Sequence, residues 1–337
     1  MKIIALYGVL QEELNINFLK ISITSLYDVV DEIVILFDTP NNQKKLKTKF
    51  FKKKKIRIFF SKRKIKKTNS PVSELLDIGR KYNGTHFVFL DADEAITHSL
   101  SKSLKKDLEQ MKKGDKIVLS WLAMWKKHNY FRVDKKSLWS NLYKDFIYCD
   151  NHKDKFKEYY HDYSRTPGKI NKKNVRKINA KYGGIMHFQF VNWSNYQYKQ
   201  AWNMCHTLTL NNKRIHNNTV MTANKINRMY FYTYFENFPR LEKIKNSEIK
   251  HIPNELFKNL YKDNSEFWHN KFKVFFKKNN IEKFEQLNIW HLNFLKRLFF
   301  EKLNRFPKKN LNYMINHFFF LLLEIFRNFK RLLNYGS

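Results

Sequence analysis

Acidic residues are scarce in this chain: its 337 residues carry 30 Asp and Glu against 65 Lys and Arg, a formal net charge of +35. Such a deficit implies an anionic partner, whether nucleic acid, anionic lipid or a phosphorylated substrate. Otherwise it reflects compositional drift, since the chain is also rich in Asn, Ile and Phe. Cysteine is scarcer still, with Cys149 and Cys205 alone. They form neither a CxxC nor a zinc spacing, so a disulfide framework and a structural zinc are excluded, and two free thiols fit a reducing cytosol. No apolar run reaches the ~18 residues of a membrane span. The opening MKIIALYGVLQEE has a brief apolar run before acidic residues and no small-residue cleavage site. It is expected to be a strand and not a signal peptide, which leaves the sequon Asn83-Gly84-Thr85 with little meaning. Helix-turn-helix, zinc and RNP signatures are absent, so no specific nucleic acid is expected as a partner.

What is present supports a real core: 43% of residues are hydrophobic and 17% aromatic. Residues 2–10 read as a strand, 14–27 as a helix with Phe18, Leu19, Ile21 and Leu26 at helical spacing, and 33–37 as a second strand. A lysine-dense stretch, 44–67, holds a third short strand at 56–60. Pro71 opens a helix whose apolar side is Val72, Leu75, Leu76 and Ile78, and Asn83-Gly84 closes it. Residues 87–90 are the fourth strand. A helix over 101–111, strands over 116–124 and within 137–149, and a short apolar stretch over 182–190 follow. From residue 195 the pattern is largely helical. Alternating elements with continuous apolar strands predict a mostly parallel α/β sheet with helices on both faces. Such sheets bind ligands at the carboxyl ends of their strands.

Glu12, Asp38 and the pair Asp91/Asp93 all fall just after strands. Phe87-Val88-Phe89-Leu90 runs straight into Asp91-Ala92-Asp93-Glu94, three carboxylates whose mutual repulsion calls for a positive partner. Two carboxylates in an Asp-x-Asp at a strand end can share one Mn²⁺ or Mg²⁺, and that ion can hold a diphosphate. A solvated turn after a strand is the plain alternative.

Leu90-Asp91-Ala92-Asp93-Glu94 resembles the LDADE signature of family 2-like glycosyltransferases with the GT-A fold. Gln11-Glu12-Glu13 is similar to their Asn-Glu-Glu after the first strand, and Asp38 to the aspartate that ends their second. Thr39-Pro40-Asn41-Asn42 departs from their usual Gly-Ser-Thr-Asp. The resemblance covers residues 1–125 well and extends more thinly to 205. It implies a GT-A catalytic domain over 1–205 and a helical C-terminal region over 206–337. It also implies a nucleotide-diphosphate-sugar donor bound through Glu12, Asp38 and Asp91, and a glycan or lipid-linked acceptor. Transfer would be inverting and metal-dependent, in cell-surface polysaccharide or glycan synthesis. Many GT-A enzymes set a later histidine on the metal; His187, after Gly183-Gly184, is the candidate to join Asp91 and Asp93, with a backbone-bonded core histidine as the alternative. Trp193, Tyr196, Tyr198 and Lys199 resemble the aromatic-lysine tail after such a histidine, which assigns Lys199 to the diphosphate. Arg165 is a further candidate to neutralise phosphate.

Inverting transfer needs a carboxylate base from another loop than the metal ligands. Asp150, directly after a strand, is the first candidate and Asp162 the second; Asp145 is expected at the start of that strand, away from the crevice. A haloacid-dehalogenase-like phosphatase also carries Asp-x-Asp after a strand, but Ala95 stands where Thr or Val is usual there. A basic nucleic-acid-binding protein without enzymatic activity is the reading from charge alone. Finally, residues 285–306 and 310–333 read as helices, the second with one apolar, Phe-rich face beside many Lys and Arg. That pattern fits docking on an anionic membrane, as a cytoplasmic protein peripheral on the inner face, or packing on the catalytic domain or a second subunit.

Overall fold

The computed structural model of the protein describes residues 1–9, 16–37, 46, 48–61, 72–133, 142–156, 165–168, 172–196, 198–199, 240–262 and 265–278. Four apolar runs form β1 (Ile3–Val9), β2 (Glu32–Phe37), β3 (Ile56–Phe60) and β4 (His86–Leu90). They pair in parallel in the spatial order β4-β1-β2-β3. Such strands are buried on both faces, which is why they read as continuous apolar runs. Helix α1 spans Ile16–Leu26 and α2 spans Val72–Lys81. Leu75 and Leu76 of α2 pack on Ile4, Leu6, Val34, Leu36 and Phe87. Phe18 and Ile21 of α1 join a second cluster with Met124, Met186 and Phe188.

The second half of the sheet turns on direction. After β5 (Glu94–Ile96) and α3 (His98–Glu109) come β6 (Lys116–Trp125), β7 (Tyr130–Arg132) and β8 (Leu142–Cys149). β8 lies between β4 and β6 and is antiparallel to both. β9 (Val175–Ile178) and β10 (Ile185–Phe190) run parallel to β6, and β10 also pairs with β5 antiparallel. The result is the mixed α/β architecture with a mostly parallel central sheet that the sequence predicts.

β10 reaches β6 because Gly184 has no side chain: a Cβ there would stand 2.7 Å from the Ser120 carbonyl oxygen. Gly183, at φ +111°, is in a region that favours glycine, and a Cβ would meet the backbone nitrogen of Leu100 at 2.8 Å. The glycine pair therefore fits strand and helix together.

The chain divides into two compact units, Met1–Val191 with Arg240–Tyr261, and Asn192–Pro239 with Lys262–Ser337. In the first, β11 (Leu241–Lys243) pairs with β7, and α4 (Asn246–Ile249) and α5 (Asn254–Lys258) follow. Ile249, Ile252, Phe257 and Leu260 complete the cluster around Phe18 and Phe188. Residues 240–261, beyond the boundary drawn from sequence at 205, thus contribute to the core of the sheet unit. In the second unit, α6 (Ser265–Lys278) brings the ring of Trp268 parallel to that of Tyr198. Among the described residues no helix is long and apolar enough to cross a membrane. The stretches 285–306 and 310–333 lie outside the described residues.

Candidate functional site

β1, β2 and β4 end side by side, with Tyr7 beside Leu90 and Val9 beside Phe37. The Asp91-Ala92-Asp93 turn leaves this edge and returns as β5. Register then determines which side chains share a face, since residues paired across strands point the same way. Glu94 pairs with His187, and His187 with Ala123, two residues along β6 from Trp121. Glu94, His187 and Trp121 therefore lie on one face of the sheet.

Glu94 is fully buried and Trp121 nearly so, at 0% and 3% exposure. The Trp121 indole Nε1 donates to Glu94 Oε1 at 2.7 Å, and the Asp91 backbone N–H donates to Glu94 Oε2 at 2.8 Å. Arg165 donates from Nη1 to Glu94 and from Nη2 to Asp91, the latter at 2.5 Å. Burial alone would raise the Glu94 carboxyl, but Arg165 and His187 outweigh it and hold Glu94 below the usual carboxylate range. Burial likewise works against the Arg165 charge, and Asp91 and Glu94 overcome it.

Arg165 is fixed from behind. Asp145 accepts from the backbone N–H of Arg165 at 3.3 Å and of Thr166 at 3.1 Å, and from the Thr166 hydroxyl at 2.5 Å. Buried Lys116 donates to the Gly168 carbonyl at 2.8 Å. Asp145 thus sits inside β8, buried, and positions the arginine; it does not begin the strand away from the crevice.

His187 stacks on Trp121, ring centroids 4.1 Å apart, and its Nε2 faces Asp93 Oδ2 at 3.4 Å. Its Nδ1 is buried with no hydrogen-bond partner among the described residues. A backbone-bonded core histidine would have used that nitrogen. The 3.4 Å gap exceeds an ordinary hydrogen bond and is near the roughly 3 Å that separates neighbouring ligands of one octahedral cation. Asp93 and His187 thus fit as a ligand pair, while the Asp91 carboxylate is engaged by Arg165. No group of three or more His, Cys, Asp or Glu among the described residues forms a complete metal set.

Asp150 is elsewhere. Because β8 is antiparallel to β4, its end lies at the start of β4: Cys149 pairs with His86, and the Asp150 N–H donates to Thr85 O. That is the edge of the sheet opposite the Asp91 turn, so the structure does not bring Asp150 together with Asp91, Asp93 and His187. Asp150 accepts from Arg80 Nε at 2.9 Å and Nη2 at 2.8 Å, and from the His152 N–H at 3.1 Å. Burial would raise its carboxyl, but the Arg80 hydrogen bonds keep it low. Lys199 belongs to the second compact unit. Glu12, Asp38 and Asp162 lie outside the described residues.

Two residues that sequence reasoning passed over, Trp121 and Lys144, complete the site together with Glu94, which it read as one of three mutually repelling carboxylates and gave no further role. The signal for Glu94 was its place in the motif; for Trp121 and Lys144 it was only their strands. Lys144 Nζ stands 3.6 Å from the centroid of the Trp121 ring.

Fold and site together define a mixed α/β protein with a carboxylate-histidine-arginine cluster at the carboxyl edge of its parallel strands. No protein-family model and no curated protein matches the chain. Among solved structures it is similar to S. aureus TarS 1-349, at 12% identity over 70% of this chain and 73% of that chain, TM-score 0.38. The same protein in complex with UDP-GlcNAc gives 12% identity over 69% and 73%, TM-score 0.35. HddC from Yersinia pseudotuberculosis gives 11% over 56% and 94%, TM-score 0.32. Likenesses of this size name no substrate.

Proposed function

We propose that this chain is a glycosyltransferase that moves a sugar from a nucleotide-diphosphate sugar to an acceptor hydroxyl, with Mn²⁺ or Mg²⁺ as cofactor. The observation that carries the reading is the facing of Asp93 and His187 at 3.4 Å, at a strand end, beside an arginine already charged and fixed. A hard cation held by few protein ligands keeps positions open for phosphate oxygens and water. Asp93 and His187 would hold it, and when bound it would neutralise the charge that develops on the departing nucleoside diphosphate.

The remaining work falls to the chain itself. Asp91, tied to Arg165, sets the position of the guanidinium beside the ligand pair, where its charge meets a phosphate oxygen. Trp121 holds the His187 ring by stacking and keeps water from that side. Asp38 directly follows Phe37, the last residue of β2, in the sequence, so it is the candidate for the base or ribose, and Glu12, three positions after the last residue of β1, is the further donor candidate. Lys199 is the candidate for a further diphosphate contact. With Asp150 at the opposite edge of the sheet, Asp162, three positions before Arg165, is the candidate base for the acceptor hydroxyl. The acceptor is a glycan or a lipid-linked glycan, and cell-surface polysaccharide synthesis is the setting that the LDADE resemblance implies. Docking of the C-terminal region on an anionic membrane belongs to the same reading.

A panel of nucleotide sugars tested on the full chain by thermal shift and by donor hydrolysis checks the assignment. One donor should stabilise the protein in Mn²⁺ and not in EDTA. Asp93→Asn should fold and lose about two orders of magnitude or more in turnover, as expected for loss of a transition-state charge contact. A folded Asp93→Asn with full turnover, or stabilisation by RNA or DNA and by no nucleotide sugar, overturns the reading.

A further inference from the structure

We infer that Lys144 and Arg165 form a protein-borne clamp for the donor's diphosphate, separate from the metal ligands; the inference rests on the transferase reading for its ligand. The first observation is a register shift. β8 pairs with β6 as Ile117 with Ile147 and then Val118 with Asp145, which leaves Phe146 as an extra residue. Without that bulge Lys144 would oppose Ser120. With it, Lys144 opposes Leu119, on the face that also carries Trp121, Glu94 and His187. Bulges commonly re-aim a side chain beside a site, and here the residue brought to the site face is a cation.

The second observation is that this cation has no acceptor among the described residues. Lys144 Nζ lies over the Trp121 ring, and among the described residues it has no hydrogen-bond or ion-pair acceptor, although an ammonium carries three donors. The nearby carboxylates are already engaged: Asp91 and Glu94 by Arg165, Asp93 with His187. Burial and the neighbouring Arg165 charge both push the Lys144 ammonium below the usual lysine range, while Glu94, Asp91 and Asp93 act the other way. Two cations are thus held near each other, one without an ion-pair partner among the described residues, on the face where the phosphates would arrive. A diphosphate satisfies both: its oxygens accept from Arg165 and from the Lys144 ammonium, and its charge relieves their repulsion.

Charge accounting separates the clamp from the metal. The groups that act on Lys144 are the cation Arg165 and the carboxylates Glu94, Asp91 and Asp93. Removing Lys144 makes the cluster more negative. A divalent cation is then attracted more strongly and a diphosphate less. A lysine that only covers Trp121 would, when replaced, disturb both in the same direction or neither.

The test uses the full chain, Lys144→Met to keep the stem on Trp121, Lys144→Gln as a second variant, and Lys144→Arg as the charge-conserving one. Calorimetry with Mn²⁺ alone, then with inorganic pyrophosphate in Mn²⁺ and in EDTA, gives the affinities. The expected result is that Met and Gln bind pyrophosphate about tenfold or more weakly, as for loss of a charged hydrogen bond. Both should bind Mn²⁺ as tightly as the wild type or tighter, with Arg restoring pyrophosphate. Unchanged pyrophosphate affinity, parallel loss of Mn²⁺ and pyrophosphate, or no pyrophosphate binding by the wild type in either condition overturns the clamp. Lys144-dependent pyrophosphate binding by a protein that turns over no nucleotide sugar keeps the clamp and removes the transferase reading.

Discussion

Glu94 accepts the indole N–H of Trp121 at 2.7 Å, in a place closed to solvent for both. The same carboxylate holds Arg165 and the backbone of Asp91, so one buried charge sets the positions of a ring, a guanidinium and a turn. Glu94→Ala would leave the indole donor and one guanidinium edge without acceptors. The expected cost is about 2 to 3 kcal/mol of stability, below the full value for breaking a buried pair because Asp91 still holds Arg165. Glu94→Gln keeps an acceptor for Trp121 and should lose less. Urea unfolding checks the order wild type, Gln, Ala; an alanine variant as stable as the wild type would show the hub to be idle.

Asp150 gives the opposite expectation, a carboxylate that supports the fold through Arg80 at a distance from the Asp91 turn. Its side chain is fully buried against Arg80. Asp150→Asn should lower stability by about 3 kcal/mol, the range for breaking one side of a buried pair. On the proposed transferase reading, the folded fraction should turn over nucleotide sugar at the wild-type rate. A variant with wild-type stability and lost turnover would return Asp150 to the active site.

That contrast shows what was legible in the sequence. The parallel strands were, because burial on both faces writes an unbroken apolar run, as in Phe87-Val88-Phe89-Leu90. The strand-end Asp-x-Asp was legible too, since a buried strand ending in carboxylates needs a reason. Strand direction was not. Leu142–Cys149 has the same apolar character whichever way it runs, and its antiparallel course moves Asp150 to the far edge. The bulge at Phe146 has no composition signal, so Lys144 could not be told from the other basic residues. At Gly183-Gly184 the missing side chains admit Leu100 and Ser120 of the protein itself, partners that the glycine pair does not name in the sequence. Short β5, β7 and β11, of three residues each, are below the length at which a period shows.

The last prediction concerns pH. His98, in the first turn of α3, and His251, after α4, face each other with ring centroids 5.3 Å apart. Both nitrogens of His98 and Nδ1 of His251 are buried without hydrogen-bond partners among the described residues, and His251 Nε2 donates to the Ile96 carbonyl at 3.1 Å. Burial lowers both imidazoles below the ordinary 6.5; Lys102 and Lys250 add to this at His98, and His98 itself adds to it at His251. Glu248 opposes the shift, but its carboxylate is occupied by the Ser99 N–H and hydroxyl at 2.9 and 2.6 Å. The positive end of α3 also disfavours an imidazolium in its first turn. Since the folded values lie below 6.5, the unfolded chain takes up protons first as pH falls through that value. Stability from these two groups is therefore full above about pH 6.5 and is lost on acidification below it. His86 and His128, also lowered by burial, bend the curve the same way. Thermal unfolding followed from about pH 7 to about pH 5 should show a decline that is shallower in a His98→Gln, His251→Gln double variant. Equal slopes in the two proteins would mean that the imidazole pair does not link protonation to the docking of residues 246–252 on α3.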